Sequence, residues 1–224
     1  MVDPDPRSAH FAVVIPIRSF FDGKTRIDSL GSNLKAELVK EAAASVVKAA
    51  HSYPTFVVSS DDEVKAWAQV QKCHVLDGGG ANLNEDLESA CNALANRNFR
   101  RVAIALGDVP LLRDEDVTAS LAAPGAYLIT DVQGTGTNLL AIDLPIPITL
   151  SFGANSRALH CEQALELGIA LCVVEESFAC FDLDTPGDIF ALRELRADKW
   201  EQLRPQELDK LEQLFRAAER LSGT

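Results

Sequence analysis

What the 224-residue chain lacks narrows its nature before any motif is read. It has no run of ~20 apolar residues, the length a membrane-crossing helix requires. Its apolar stretches, such as Phe11–Ile17 and Val102–Leu106, have strand length instead. It has no basic excess either: 21 Lys and Arg face 33 Asp and Glu, for a net charge of −12. A nucleic-acid partner is therefore not expected, because a phosphate backbone calls for a basic surface. A small anionic ligand stays compatible, since it needs only a locally positive or metal-loaded pocket. There is no Cys-x-x-Cys pair, and the five cysteines (Cys73, Cys91, Cys161, Cys172 and Cys180) form an odd set. With no leader-like or membrane segment before the first strand, the expectation is a cytoplasmic protein without disulfides or structural zinc. No repeat, low-complexity tract or long linker divides the chain. At 47% hydrophobic residues it can bury one substantial core.

The pattern that is present alternates strands with helices. Phe11–Ile17 and Val102–Leu106 read as strands covered on both faces, and Thr55–Ser59, Cys73–Leu76, Ala126–Thr130, Leu139–Ile142 and Ala170–Val174 as shorter ones. Between them, Leu34–Ala50, a segment through Trp67, Leu83–Asn96, Asp114–Leu121, Ser156–Leu167 and Thr185–Arg196 read as helices. Pro205–Leu221 closes the chain as an amphipathic helix with Leu208, Leu211, Phe215 and Ala218 on one stripe, able to lie on the sheet or pair two copies into a homodimer. Residues 1–10 read as a flexible tail and 11–224 as a single domain. The expectation is an α/β three-layer fold with a mainly parallel sheet. Ligands of such sheets bind beyond the carboxyl ends of the strands, so the loops there carry the functional argument.

After the first strand, Gly23-Lys24-Thr25 is tempting as a phosphate loop, but Arg18 stands where that motif needs a glycine. Three cations remain, Arg18, Lys24 and Arg26, where phosphates would lie. After the third strand, Asp77-Gly78-Gly79-Gly80-Ala81-Asn82 runs into a helix, and Gly80 permits close approach of a ligand while Asn84 offers donor and acceptor to a base edge. After Val102–Leu106, Asp108 sits between glycine and Val109-Pro110, well placed for a hard cation such as Mg²⁺. A second acidic stretch, Asp182-Leu183-Asp184, would present both carboxylates on one face and complete a metal site with Asp108. Gly134-Thr135-Gly136-Thr137 offers hydroxyls on a bent loop, and Phe152-Gly153-Ala154-Asn155-Ser156 opens a helix where an anion could sit, with Ser156 also suited to capping. His160, one turn later, reads as a buried, satisfied histidine rather than a general base. No cysteine is credibly paired with a histidine as a nucleophile.

Taken in order, Ile15-Pro16-Ile17-Arg18, Gly23-Lys24-Thr25-Arg26, Val58-Ser59-Ser60-Asp61, Leu83-Asn84, Gly107-Asp108-Val109-Pro110, Gly134-Thr135-Gly136-Thr137-Asn138, Phe152-Gly153 with Ser156, and Asp182-Leu183-Asp184-Thr185-Pro186 resemble one family. It is the 2-phospho-L-lactate / phosphoenolpyruvate guanylyltransferases of deazaflavin coenzyme F(420) biosynthesis. The resemblance runs from about Phe11 to Leu195. It implies a nucleotidyltransferase-type, Rossmann-like fold that binds GTP and a small phosphorylated three-carbon acid. In the roles it implies, Asp108 with Asp182 or Asp184 holds Mg²⁺, and Lys24 with Arg18 or Arg26 steadies the triphosphate. The loop through Gly80 and Asn84 would take the guanosine, and Thr137, Gly153 and Ser156 the acid. Arg18 stands where the family usually has lysine, Asn82 where it has glycine, and Asp86 where it has a small residue. A molybdopterin- or sugar-phosphate-loading nucleotidyltransferase and a non-catalytic nucleotide-binding protein are the rival readings.

Overall fold

A computed structural model describes residues 10–21 and 32–183 of the chain. Lys24, Arg26 and Asp184 lie outside the described residues, as do residues 1–9 and the helices expected at Thr185–Arg196 and Pro205–Leu221. The chain order is β1 (Phe11–Pro16), α1 (Ser32–Ala50), β2 (Thr55–Ser59), α2 (Asp62–Val70), β3 (His74–Asp77), α3 (Leu83–Ala95) and β4 (Arg101–Ala105). Next come α4 (Asp114–Ala122), β5 (Ala126–Ile129), β6 (Leu139–Asp143), α5 (Ser156–Glu166), β7 (Leu171–Val174) and a 3₁₀ turn at Phe178–Cys180.

The strands form one sheet in the order β3-β2-β1-β4-β6-β5-β7. Parallel pairs join β3, β2, β1 and β4, and also β5 and β7, while β6 is antiparallel to both β4 and β5. The mainly parallel expectation therefore holds with one reversal. Residues 130–138 join β5 to β6 without a helix, and such a short connection returns antiparallel because a parallel crossover needs a dozen or more residues. The reversal has a functional consequence. β6 begins at the edge where every other strand ends, so the loop feeding it adds to the ligand-facing rim.

Both faces of the sheet are covered. Val13, Ile15, Val57, Ala103 and Ala105 pack with α1, α2 and α4 through Ala43, Val46, Val64 and Leu121. Ala12, Val14, Phe56, Val102 and Ile104 face Leu87, Cys91 and Leu94 of α3, together with Ile148, Leu150 and Phe152. This is why β1 and β4 read as unbroken apolar runs. Local chemistry sets the helix starts: Asp61 Oδ1 accepts from the backbone N–H of Glu63 at 2.8 Å and Val64 at 3.1 Å, and Asn82 Oδ1 from Asn84 at 3.0 Å and Glu85 at 3.1 Å. At the opposite rim Arg101 is 4% exposed and donates to the carbonyls of Gly125 (2.7 Å) and Ser120 (3.0 Å) and to Asp143 Oδ1 (2.6 Å). Those bonds tie β4, α4, β5 and β6 together far from the ligand-facing edge. No described helix is long and apolar enough to cross a membrane.

Candidate active site

The carboxyl ends of β1, β2 and β3 border an open cleft of about 100 Å³. Its walls come from Pro16–Arg18, Val58–Ser60, Gly78 and Gly80–Leu83, with Asp86 from α3. Arg18 is exposed there, and Ser59 Oγ donates to its carbonyl at 3.5 Å. The glycine-rich turn is closed by its own helix: Asp86 Oδ1 accepts from Gly80 N–H at 2.6 Å and Glu85 Oε2 from Ala81 N–H at 3.0 Å. Those amides, expected to attract an anion, already bond carboxylates. What the turn leaves for a ligand is its surface against the cleft.

Asp108 follows β4, the strand that pairs with β1. Gly107, just before it, lies so close to β1 that an added Cβ would come within 3.2 Å of the Ile17 side chain and 3.3 Å of the Pro16 carbonyl. Glycine is needed there for the approach, not for its dihedral freedom. The second acidic stretch arrives at the same place, because Leu183 N–H donates to the Asp108 carbonyl at 2.8 Å. Asn138, 2% exposed, fixes that arrival: its side-chain amide donates to the carbonyls of Ala179 (3.1 Å) and Cys180 (3.0 Å). Asn138 itself hangs between β4 and β5, its carbonyl accepting from Leu106 N–H at 3.0 Å and its N–H donating to Ile129 at 2.8 Å. Asp108 and Asp182 are both half-buried, with Asp108 Oδ1 shut off from solvent. The backbones of the two stretches meet here, and Asp108 and Asp182 are the side chains that could hold a hard cation such as Mg²⁺, which binds through one or two carboxylates plus water and phosphate. Among the described residues no group of three or more His, Cys, Asp or Glu gathers to hold a metal.

The remaining predicted residues, Thr137, Gly153 and Ser156, lie just before β6 and at the start of α5. Thr137 (3% exposed) and Ser156 (1%) are buried, and Gly153 has φ +128° with nothing within 4 Å of where a Cβ would stand. A side chain at Gly153 would be strained although room exists for it. Ser156 is not the helix cap that its position suggested. Asn155 takes that place in a left-handed conformation (φ 57°) without a side-chain capping bond, and Ser156 is the first helical residue, its N–H donating to the Gly153 carbonyl at 3.2 Å. The 131–138 loop is bent by Asp131, which accepts from Thr135 N–H at 2.7 Å, and is tied to α5 by Arg157, donating to the Gly134 carbonyl at 2.9 Å.

His160 is buried and satisfied, as expected, and its bonds orient Thr137. Its Nε2 accepts from Ser151 N–H at 3.0 Å. A neutral ring then carries its proton on Nδ1, which lies 3.2 Å from Thr137 Oγ1. Thr137 oxygen is therefore an acceptor toward His160, and its own hydroxyl proton remains to donate elsewhere. Burial pushes the His160 pKa down to about 4, so the ring is neutral near pH 7. Burial also pushes the thiols of Cys73 to about 11 and Cys91 to about 12, consistent with inert packing roles.

Asn84 departs from the role its position implied. Its amide nitrogen donates to the Phe152 carbonyl at 3.1 Å and its oxygen accepts from Phe152 N–H at 2.7 Å, so its donor–acceptor pair meets backbone rather than open cleft. Asn138, Arg157 and the ring of Phe152 against His160 (5.3 Å between centroids) are site-building features that loop composition alone does not flag.

Comparison with known proteins identifies relatives by sequence and by fold. A family model described as guanylyl transferase CofC like matches residues 11–196. A phosphoenolpyruvate guanylyltransferase of Thermobaculum terrenum is 27% identical over 198 residues, 85% of this chain and 86% of its own. One from Chloroflexus aggregans is 30% identical over 77% of this chain and 91% of its own. A 2-phospho-L-lactate guanylyltransferase of Methanothermobacter thermautotrophicus is 30% identical over 79% and 81%. In fold, a Desulfovibrio desulfuricans protein described as a candidate nucleotide-diphospho-sugar transferase superposes with TM-score 0.72 at 13% identity, covering 95% of this chain and 98% of its own. The CMP:2-keto-3-deoxy-manno-octonic acid synthetase complexed with CTP superposes at 0.54 and 14% identity, over 84% and 99%. The chain belongs to the family of CofC-like guanylyl transferases.

Proposed function

We propose that this chain moves GMP from GTP onto a small phosphorylated three-carbon acid, phosphoenolpyruvate or 2-phospho-L-lactate, in coenzyme F(420) biosynthesis. Pyrophosphate leaves, and the product is a guanylylated diphosphate. The observation that carries this reading is the bond from Leu183 N–H to the Asp108 carbonyl, which brings the second acidic stretch to the end of β4, next to β1 and the strand-end cleft that Arg18 helps to line. A phosphate oxygen of the acid attacks the α-phosphorus of GTP as the bond to the pyrophosphate oxygen breaks. The protein's task in such a transfer is placement and charge neutralisation; no covalent intermediate is required.

The nucleotide enters the cleft between Arg18 and the Gly78–Leu83 turn, with Lys24 and Arg26, which follow Arg18 in sequence, serving the triphosphate. The acid sits against Thr137, Gly153 and Ser156. Thr137 donates its hydroxyl proton because His160 already engages its oxygen, and the amides of the first turn of α5 favour negative charge. Asp108 with Asp182 or Asp184 would hold Mg²⁺. When bound, that ion supplies charge compensation for the phosphates in an otherwise acidic protein. Pyrophosphate release measured with each of GTP, ATP, CTP and UTP against phosphoenolpyruvate, 2-phospho-L-lactate and 3-phosphoglycerate tests the assignment. Release with GTP and one of the first two acids is expected. Transfer from CTP but not GTP, or no release with any pair, overturns it.

A further inference from the structure

Asn84 belongs by sequence to the nucleotide-binding loop, but its contacts run to the backbone of Phe152, next to Gly153. We infer that Asn84 is a positioning residue for the acid substrate, acting through the backbone of Phe152, and does not read the nucleotide base. The inference rests on the acid site assigned in the proposed function.

The segment Thr149–Phe152 is neither helix nor strand, yet each of its four backbone N–H groups meets a side-chain acceptor. Thr149 donates to Gln163 Oε1 at 2.8 Å, Leu150 to Glu88 Oε1 at 3.3 Å, Ser151 to His160 Nε2 at 3.0 Å and Phe152 to Asn84 Oδ1 at 2.7 Å. The acceptors come in turn from α5, α3, α5 and α3, as an extended chain presents successive amides to opposite sides. The segment is thus a strap laced between two helices by side chains that replace the partners a neighbouring strand would supply. Asn84 and Gln163 grip it at both donor and acceptor, since Asn84 also donates to Phe152 O at 3.1 Å and Gln163 to Thr149 O at 3.0 Å.

The two ends of the strap stand at different distances from the acid site. Gly153 comes immediately after Phe152 and leads to Ser156, whereas Thr149 is four residues from Gly153. The Asn84 end also carries the Phe152 ring, which packs edge-on against His160, itself bonded to Thr137. All three acid-facing residues therefore depend on where Phe152 is held. A ligand feels a displacement of about 1 Å there, because productive placement is what such a site contributes.

Asn84→Ala and Gln163→Leu, made in the full chain, separate positioning from general support. For Asn84→Ala the KM for the acid rises about tenfold, as expected for the loss of two ordinary hydrogen bonds, while the KM for GTP stays within about twofold. Gln163→Leu loses the same kind of grip at the far end; it lowers the melting temperature and leaves both KM values within about twofold. Asn84→Asp keeps the acceptor for Phe152 N–H and falls between wild type and Asn84→Ala, which provides the test if the alanine variant does not fold. A GTP KM that rises with the acid KM, or an acid KM unmoved by either substitution, overturns the inference. If wild type transfers no nucleotide to any acid, the proposed function fails instead. Amide exchange then decides the clamp by itself: faster exchange at Phe152 and Gly153 in Asn84→Ala supports it, and unchanged exchange refutes it.

Discussion

Acidification should weaken this fold through one identifiable side chain. His160 is 1% exposed, its Nε2 accepts a backbone N–H, and burial lowers its pKa from the usual 6.5 to about 4. Because the native pKa lies below the unfolded one, the unfolded chain binds the proton first as pH falls. The neutral ring's contribution is complete above about pH 6.5 and disappears progressively down to about pH 4. Across the whole window the difference is on the order of 3 kcal/mol; between about pH 7 and pH 5 it amounts to about 2 kcal/mol. Urea unfolding of wild type and His160→Gln at those two pH values isolates the effect, since all other groups are common to both. Wild type should lose about 2 kcal/mol more than the variant on acidification. Parallel losses would show that His160 is not held neutral, as would a His160 resonance titrating with a midpoint near 6.5.

Other positions give independent expectations. Asn138→Ala leaves two buried carbonyls without their donor and should cost about 2–4 kcal/mol in denaturant unfolding, with turnover falling further than stability because the Asp182 stretch loses its anchor. Gly153→Ala should cost about 1–3 kcal/mol from backbone strain at φ +128° and should raise the KM for the acid, measured at saturating GTP. Arg101→Met should lower stability by about 2–3 kcal/mol yet leave both KM values unchanged, because its bonds to Gly125, Ser120 and Asp143 lie at the rim away from the ligand-facing edge. A GTP or acid KM altered in Arg101→Met would contradict that placement.

Legibility from sequence followed the range of the interactions. The strands at Phe11–Pro16, Thr55–Ser59 and Arg101–Ala105 and the cap at Asp61 were readable because apolar runs and Asx caps are local signals. So was the rim of the sheet as the place for Arg18, Gly80, Asp108, Thr137 and Gly153. The reversal of β6 was not, because strand direction is set by the connection and pairing rather than by composition. Asn84 illustrates the same limit for a side chain. Its position at the start of α3 suggested a base contact, but its partner is Phe152, 68 residues away. Asn138 read as part of a motif with no assigned task until its partners at Ala179 and Cys180 came into view. Ser156 misled locally: a serine at a helix start usually caps it, but left-handed Asn155 takes that turn and frees Ser156 to sit buried beside Gly153.

Asp108 is the carboxylate on which the proposed chemistry depends, because its backbone meets the 182–183 stretch. Pyrophosphate release from GTP, Mg²⁺ and the preferred acid should fall by about 10³-fold or more in Asp108→Asn, with the melting temperature and circular dichroism of wild type. An Asp108→Asn protein that turns over at a near-normal rate would show that the chemistry takes place elsewhere.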